Sequence, residues 1–300
     1  MKVNFNFLIF ILIFNVYGQA KIKVVTTLPS FADITSIVGG EEVEVSALIK
    51  GTQDPHFVDP KPDLILKLNR ADFLIRAGLG LEDGWLPPLL TGARNGKIQT
   101  GGERDLDAST LVVLKEISKT AINRGQGDVH PGGNPHFMLD PRNGILVAKA
   151  IAERLGKIDT SKASIFKTRA ESFSQDLTKK IITWEKTLAN LKNLPIITYH
   201  RSWIYFSDWA GLNEVGYVEP KPGVPPAPDH IVKLSQLARE KKVKFVLIEP
   251  YYPKGNAEDV ARFVGATFLQ LPTEVQGSSD ATTYINVFDE IVHKLAAKKM

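Results

Sequence analysis

KASIFKTRAESFSQDLTKKIITWEKTLANL, residues 162–191, contains neither glycine nor proline. Its apolar residues Phe166, Ala170, Phe173, Leu177, Ile181, Trp184, Leu188 and Leu191 recur at gaps of three and four, the spacing that lines one face of an α-helix. At 1.5 Å per residue such a helix is about 45 Å long, the span of a whole domain. The stripe alone would equally suit a coiled-coil segment. Its flanks decide the matter, because alternating strand and helix patterns lie on both sides of it. The stretch is read as a single long helix bracing two α/β lobes.

Towards the N-terminus, IKVVTTLP (22–29) is strand-like, SFADITSIVGG (30–40) is a short helix closed by glycines, and VEVSALI (43–49) is a second strand. QDPHFVDP (53–60) is a stiff loop, followed by the helical KPDLILKLNRA (61–71), where Pro62 suits a first turn, and the strand DFLIRAGLG (72–80). NRGQGDVHPGGNP (123–135) reads as a loop, and ILVAKAIAERLGKI (145–158) as a helix. Beyond the long helix, LPIITYH (194–200), EVGYVEP (214–220), VKFVLIEP (243–250) and ATFLQLP (266–272) are strands. They are separated by helices through Trp203 and Trp209, over 231–241 and at AEDVARFVG, with ATTYINVFDEIVHKLAAKK closing the chain. Repeated βα units predict a parallel sheet in each lobe. The expected division is a leader over 1–20, an N-terminal lobe over 21–160, the linking helix over 161–192 and a C-terminal lobe over 193–300.

The leader has its own logic. Lys2 gives a positive start, Phe5 to Phe14 is almost wholly apolar, and Tyr17-Gly18-Gln19-Ala20 offers small residues for cleavage near 18–20. This pattern marks a secretory signal peptide and places the mature chain in the periplasm. The chain has no cysteine, so it can carry neither disulfides nor a lipoprotein thioether, and any metal site must use His, Asp or Glu. A net charge of +4 drawn from scattered lysines, with no basic patch interleaved with aromatics, argues against nucleic acid as a partner.

Open parallel sheets bind ligands beyond the carboxyl ends of their strands. Three of the six histidines fall there: His56 in the loop after a strand, His136 at the end of the glycine-rich loop, and His200 closing the first strand of the second lobe. Each alone would be read as structural; together, in a chain without cysteine, they point to a metal. A carboxylate from the second lobe should complete the set, with Glu274 first choice, Glu249 second and Asp280 third. Glu249 could instead pair with Arg201. His130 is read as an exposed spectator, with a low-affinity metal collector as the alternative, His230 as a helix-start residue and His293 as solvent-facing. Three imidazoles and one carboxylate suit tetrahedral zinc, whereas manganese prefers more oxygen.

These residues carry a resemblance. PHFVDPKPDLILKLNRADFLIRAGLGLE around His56, NPHFMLDPRNG around His136, ITYHRSWIYF around His200 and FVLIEP before the last strand resemble the metal-binding solute-binding proteins of ABC importers, the ZnuA/TroA family. The resemblance implies two (β/α) lobes joined by one long helix, with a divalent ion clamped between them. Carried over by position, the first two ligands match His56 and His136. The third, His in zinc carriers and often Glu in manganese carriers, matches His200. Aligning LPTEVQG on its glycine puts Glu274 where the family usually has Asp. The short GDVHPGGNPH replaces the long His/Asp-rich loop of many zinc carriers, and the proline-rich stretch 220–228 is a further departure.

The function so implied is a monomeric, non-enzymatic receptor that captures Zn2+, with Mn2+ the alternative, and passes it to a membrane permease. A secreted zinc hydrolase would need an open coordination position and a general base, and no HExxH helix is present. A receptor for a cobalamin or iron chelate would use Trp, Tyr and Arg rather than converging histidines. A surface adhesin is the weakest of the alternatives.

Overall fold

The computed structural model describes residues 20–117, 130–221 and 223–297. The signal-peptide reading and the start of the glycine-rich loop, 123–129, therefore lie outside the described residues.

Each lobe holds a four-stranded, all-parallel sheet. In the first, β1 (Ile22–Thr26), β2 (Val43–Ala47), β3 (Phe73–Arg76) and β4 (Asp105–Asp107) are arranged in the order β2-β1-β3-β4. In the second, β5 (Pro195–Thr198), β6 (Asn213–Tyr217), β7 (Phe245–Ile248) and β8 (Thr267–Gln270) repeat the pattern as β6-β5-β7-β8. Helices cover the sheets: α1 (Pro29–Gly39), α2 (Pro62–Arg70), α3 (Leu86–Ala93) and α4 (Pro141–Ile158) in the first lobe, α6 (Ile204–Ala210), α7 (Pro228–Glu240) and α8 (Gly255–Val264) in the second. Covering both faces explains why β3 and β7 read as unbroken apolar runs, FLIR and FVLI, rather than as alternations.

The long stretch is helical as expected. α5 (Ala163–Leu188) is continued by single 3₁₀ turns at Thr160–Lys162 and Ala189–Leu191. Phe166, Ala170, Phe173, Leu177, Ile181, Trp184 and Leu188 are all buried. They belong to one core that contains Val24, Phe73 and Ile75 of the first sheet, Ile196, Phe245 and Leu247 of the second, and Phe288 and Ile291 of α9 (Tyr284–Ala296). The helix is thus packed into both lobes, and a coiled-coil partner is not needed to bury its stripe. A second, smaller core, including Tyr199, Val246 and Ile248, lies within the C-terminal lobe alone.

Two elements escaped the sequence reading. β4 is the edge strand DLD, whose aspartates hide it from an apolar-run search; Arg76 of β3 binds Asp105 at 3.0 Å and Asp107 at 2.9 Å. α3 opens with Pro87 and Pro88, which resemble a loop but suit a first helical turn.

Polar contacts fasten the lobes together. The Tyr284 amide donates to Asp33 at 2.8 Å, and its buried hydroxyl donates to the Met138 carbonyl at 2.8 Å. The Tyr205 hydroxyl donates to the Asn134 carbonyl at 3.0 Å, and the Asn134 amide donates to the Arg201 carbonyl at 2.8 Å. Backbone meets backbone at Gly51, where a Cβ would stand 2.0 Å from the Val275 carbonyl oxygen. That neighbour is main chain and cannot swing away, so the alanine forces the two loops apart. Gly51→Ala should cost about 1–3 kcal/mol, the usual range for overpacking, and lower Tm by several degrees. Thermal unfolding of the variant beside the parent protein checks this; an unchanged Tm would mean that the contact is not held in solution.

Candidate metal centre

The carboxyl ends of both sheets face one crevice, and the histidines enter it from loops that leave those ends. His56 follows β2. The Asp54 carboxylate accepts from the His56 amide at 3.0 Å and stands 2.8 Å from its Nδ1, so one side chain fixes both backbone and ring. The buried Trp85 indole donates to the Pro55 carbonyl at 2.9 Å and pins the same turn from below. His200 follows β5, is almost fully buried, and places Nδ1 2.7 Å from the Glu219 carboxylate. His136 precedes α4, and its amide donates to the Asn134 side chain at 3.0 Å. Its Nε2 is buried with no hydrogen-bond partner, an arrangement that costs free energy unless something is bound there.

One ligand atom from each of His56, His136 and His200 lies within 4.8 Å of the others, the one such group among the described residues. Their ring centroids are 5.1–5.3 Å apart. Two lobes contribute, so the site exists only when they are docked.

The partners on Nδ1 determine the chemistry. A carboxylate accepts and does not donate, so the Nδ1 of His56 and of His200 carries the proton, and in the neutral rings Nε2 is unprotonated. Histidine–carboxylate pairs of this kind orient metal-binding imidazoles and raise their basicity. Burial tends to raise the Asp54 carboxyl, but hydrogen bonds from the ring and amide of His56, with His200 nearby, outweigh it and hold the group below its ordinary range. Burial, aided by the neighbouring histidines, pushes His136 well below the usual imidazole value. This keeps the ring neutral, the form that binds metal.

The remaining sequence candidates lie outside the three-histidine group. Glu274 is buried but is not part of the three-histidine group; its carboxylate accepts from the Ser30 amide at 2.9 Å, at the N-terminus of α1. Asp280 is exposed. Arg201 pairs with Glu116 at 3.2 Å rather than with Glu249. His230, in the first turn of α7, contacts the Tyr217 carbonyl at 3.0 Å, and His293 is exposed, both as expected. His130 corrects the reading of an exposed spectator. It is half-buried, with Nδ1 3.0 Å from the Leu79 carbonyl and Nε2 3.3 Å from Nε2 of His56. Proline and glycine around it suggested an exposed loop; what decided its place was a long-range contact with the loop after β3, which local composition does not encode.

Glu249, at the end of β7, is wholly buried, and neither carboxylate oxygen has a hydrogen-bond partner. Burial, reinforced by Glu219 and Asp54 and only partly opposed by the Ser202 hydroxyl alongside, pushes it up to about 8. The sign follows from linkage. In the unfolded chain the group ionises near the ordinary 4.5, so its contribution to stability is complete below that pH and is lost as pH rises towards 8. Glu249→Gln, which cannot ionise, should gain stability over the parent protein progressively from pH 5 to pH 8. Urea unfolding of both proteins after chelator treatment, at several pH values in that interval, measures the difference. A pH-independent difference would contradict it.

Three comparisons bear on this geometry. The family model described as zinc-uptake complex component A, periplasmic, matches residues 24–298. The metal ABC transporter substrate-binding lipoprotein FimA of Streptococcus parasanguinis is 27% identical over 253 residues, covering 82% of this chain and 77% of FimA. The manganese ABC transporter substrate-binding lipoprotein PsaA of Streptococcus pneumoniae is 27% identical over 234 residues, covering 76% and 72%. The crystal structure of ZnuA superposes with a TM-score of 0.77 at 22% identity, covering 93% of this chain and 99% of that one, which supports the fold. With the family model matching nearly the whole described chain, this protein belongs to the zinc-uptake component A family, the metal-binding substrate-binding proteins of ABC transporters, which are transport components and not enzymes.

Proposed function

We propose that this protein is an exported zinc receptor that takes the ion between its lobes through His56, His136 and His200 and hands it to a membrane permease. The observation that carries the reading is the convergence of three imidazoles from two lobes, two of them held by carboxylates so that unprotonated Nε2 atoms point inward. Neutral imidazole nitrogens suit zinc at about 2.0–2.1 Å, and manganese, which prefers carboxylate and water, gains less from them. PsaA is named for manganese while the family model is named for zinc uptake, so the donor set of this chain supports the choice between them. The buried, prefixed rings lose little conformational entropy when the ion arrives, which favours tight capture. The cationic, apolar leader supports export, and a single chain supplies all three rings, which supports action as a monomer.

Competitive zinc titration against a chelator, with bound metal counted by mass spectrometry, tests this. The parent protein should bind one zinc per chain tightly, and His56→Ala should weaken it by more than the roughly 10–100-fold that loss of an outer partner costs. Zinc affinity indifferent to His56→Ala would contradict the reading.

A further inference from the structure

We propose that His130 provides a fourth nitrogen to the ion, making an all-imidazole site that sets the preference for zinc over manganese; this rests on reading the three-histidine group as the metal site. Zinc with four nitrogen ligands at 2.0–2.1 Å forms a tetrahedron whose edge is about 3.3–3.4 Å. The separation between Nε2 of His130 and Nε2 of His56 is 3.3 Å, one such edge.

The two nitrogens do not hydrogen-bond each other as neutral rings. His56 keeps its proton on Nδ1, towards Asp54. His130 keeps its proton on Nδ1 as well, because the partner there, the Leu79 carbonyl at 3.0 Å, can only accept. The 3.3 Å separation then sets two ring nitrogens where one shared cation would meet both.

The socket around His130 is built rather than incidental. Gly78, Leu79 and Gly80 have φ values of 79°, 56° and 84°. Three successive left-handed residues bend the loop after β3, and Leu79, which is not glycine, adopts a conformation that its Cβ disfavours. Its carbonyl is the one that holds His130. A Cβ at Gly80 would stand 3.4 Å from Nδ1 of His130, an ordinary contact, so the glycine answers to its φ and not to the ring. On the other side, the Gly133 amide donates to the His130 carbonyl at 3.1 Å, closing a turn that leads through Asn134 to His136. HPGGNPH (130–136) thus delivers two histidines to one place.

Glu274, whose carboxylate is engaged by the Ser30 amide, is the competing fourth ligand. His130 touches His56 but lies outside the three-histidine group, so joining the ion requires its ring to shift towards His136 and His200. Four imidazoles favour zinc and leave manganese without the oxygen donors it prefers.

The test uses the purified protein, with zinc and manganese competed separately against chelators and with cobalt(II) as a spectroscopic probe. His130→Ala should weaken zinc at least about tenfold, change manganese affinity less, and replace the intense visible bands of tetrahedral cobalt with the weaker bands of higher coordination. His130→Asp, which offers oxygen, should move the preference towards manganese. Unfolding of each variant after chelator treatment verifies that the fold is intact. Unchanged zinc affinity and an unchanged cobalt spectrum in His130→Ala would overturn the proposal and return the fourth place to Glu274 or water. A parent protein with no tight zinc, or one indifferent to His56→Ala, would instead remove the three-histidine reading on which it rests.

Discussion

An imidazole has two nitrogens, and an acceptor placed on one of them decides what the other can do. In this chain Nδ1 of His56 meets the Asp54 carboxylate and Nδ1 of His200 meets the Glu219 carboxylate, one pair in each lobe. Each pair sets the tautomer of the neutral ring and its orientation at once, and each turns Nε2 towards the crevice. The surrounding structure keeps these pairs dry and opposed. Without them, three nearby histidines would be a set of rotating rings that could turn N–H groups towards one another.

Opposition requires that the lobes hold still, and α5 supplies this. Its buried stripe shares one hydrophobic core with both sheets, so separating the lobes as rigid bodies would expose apolar surface at about 25 cal/mol per Å2. Tyr284, Tyr205 and Asn134 add hydrogen bonds across the same boundary, and Gly51 lets two loops meet main chain to main chain. The loop after β3 combines left-handed backbone at Gly78, Leu79 and Gly80 with close packing of Gly78 on Asp107 and hydrogen bonds from Ala77 and Gly78 to the buried Glu82.

Much of this was legible in the sequence, for physical reasons that differ from residue to residue. The 3.6-residue stripe of α5 and the apolar runs of β3 and β7 are local patterns, and they fold as read. His56, His136 and His200 were found because strand ends and loops can be located by composition, and parallel sheets place ligands there. β4 was missed because an edge strand of aspartates carries no apolar signal. His130 was misread because its environment is set by the Leu79 carbonyl, 51 residues away in the chain. Glu274 was chosen as a carboxylate in the loop after the last strand; that its carboxylate accepts from the N-terminus of α1, where partial positive charge draws an anion, is a long-range contact no local pattern reveals. Nor does local pattern reveal which carboxylates stand behind the rings: Glu219 lies 19 residues beyond His200, past an intervening helix and strand.

The central claim is that the imidazoles present unprotonated Nε2 atoms before any ion arrives, and nitrogen chemical shifts report this directly. Long-range proton–nitrogen NMR of the chelator-treated protein, with ring nitrogens labelled and the histidines assigned by single substitutions, distinguishes the two tautomers. The account predicts that the neutral rings of His56 and His200 carry their proton on Nδ1, opposite the carboxylates, and present Nε2 to the crevice. Neutral rings averaging between tautomers, or carrying the proton on Nε2, would contradict it.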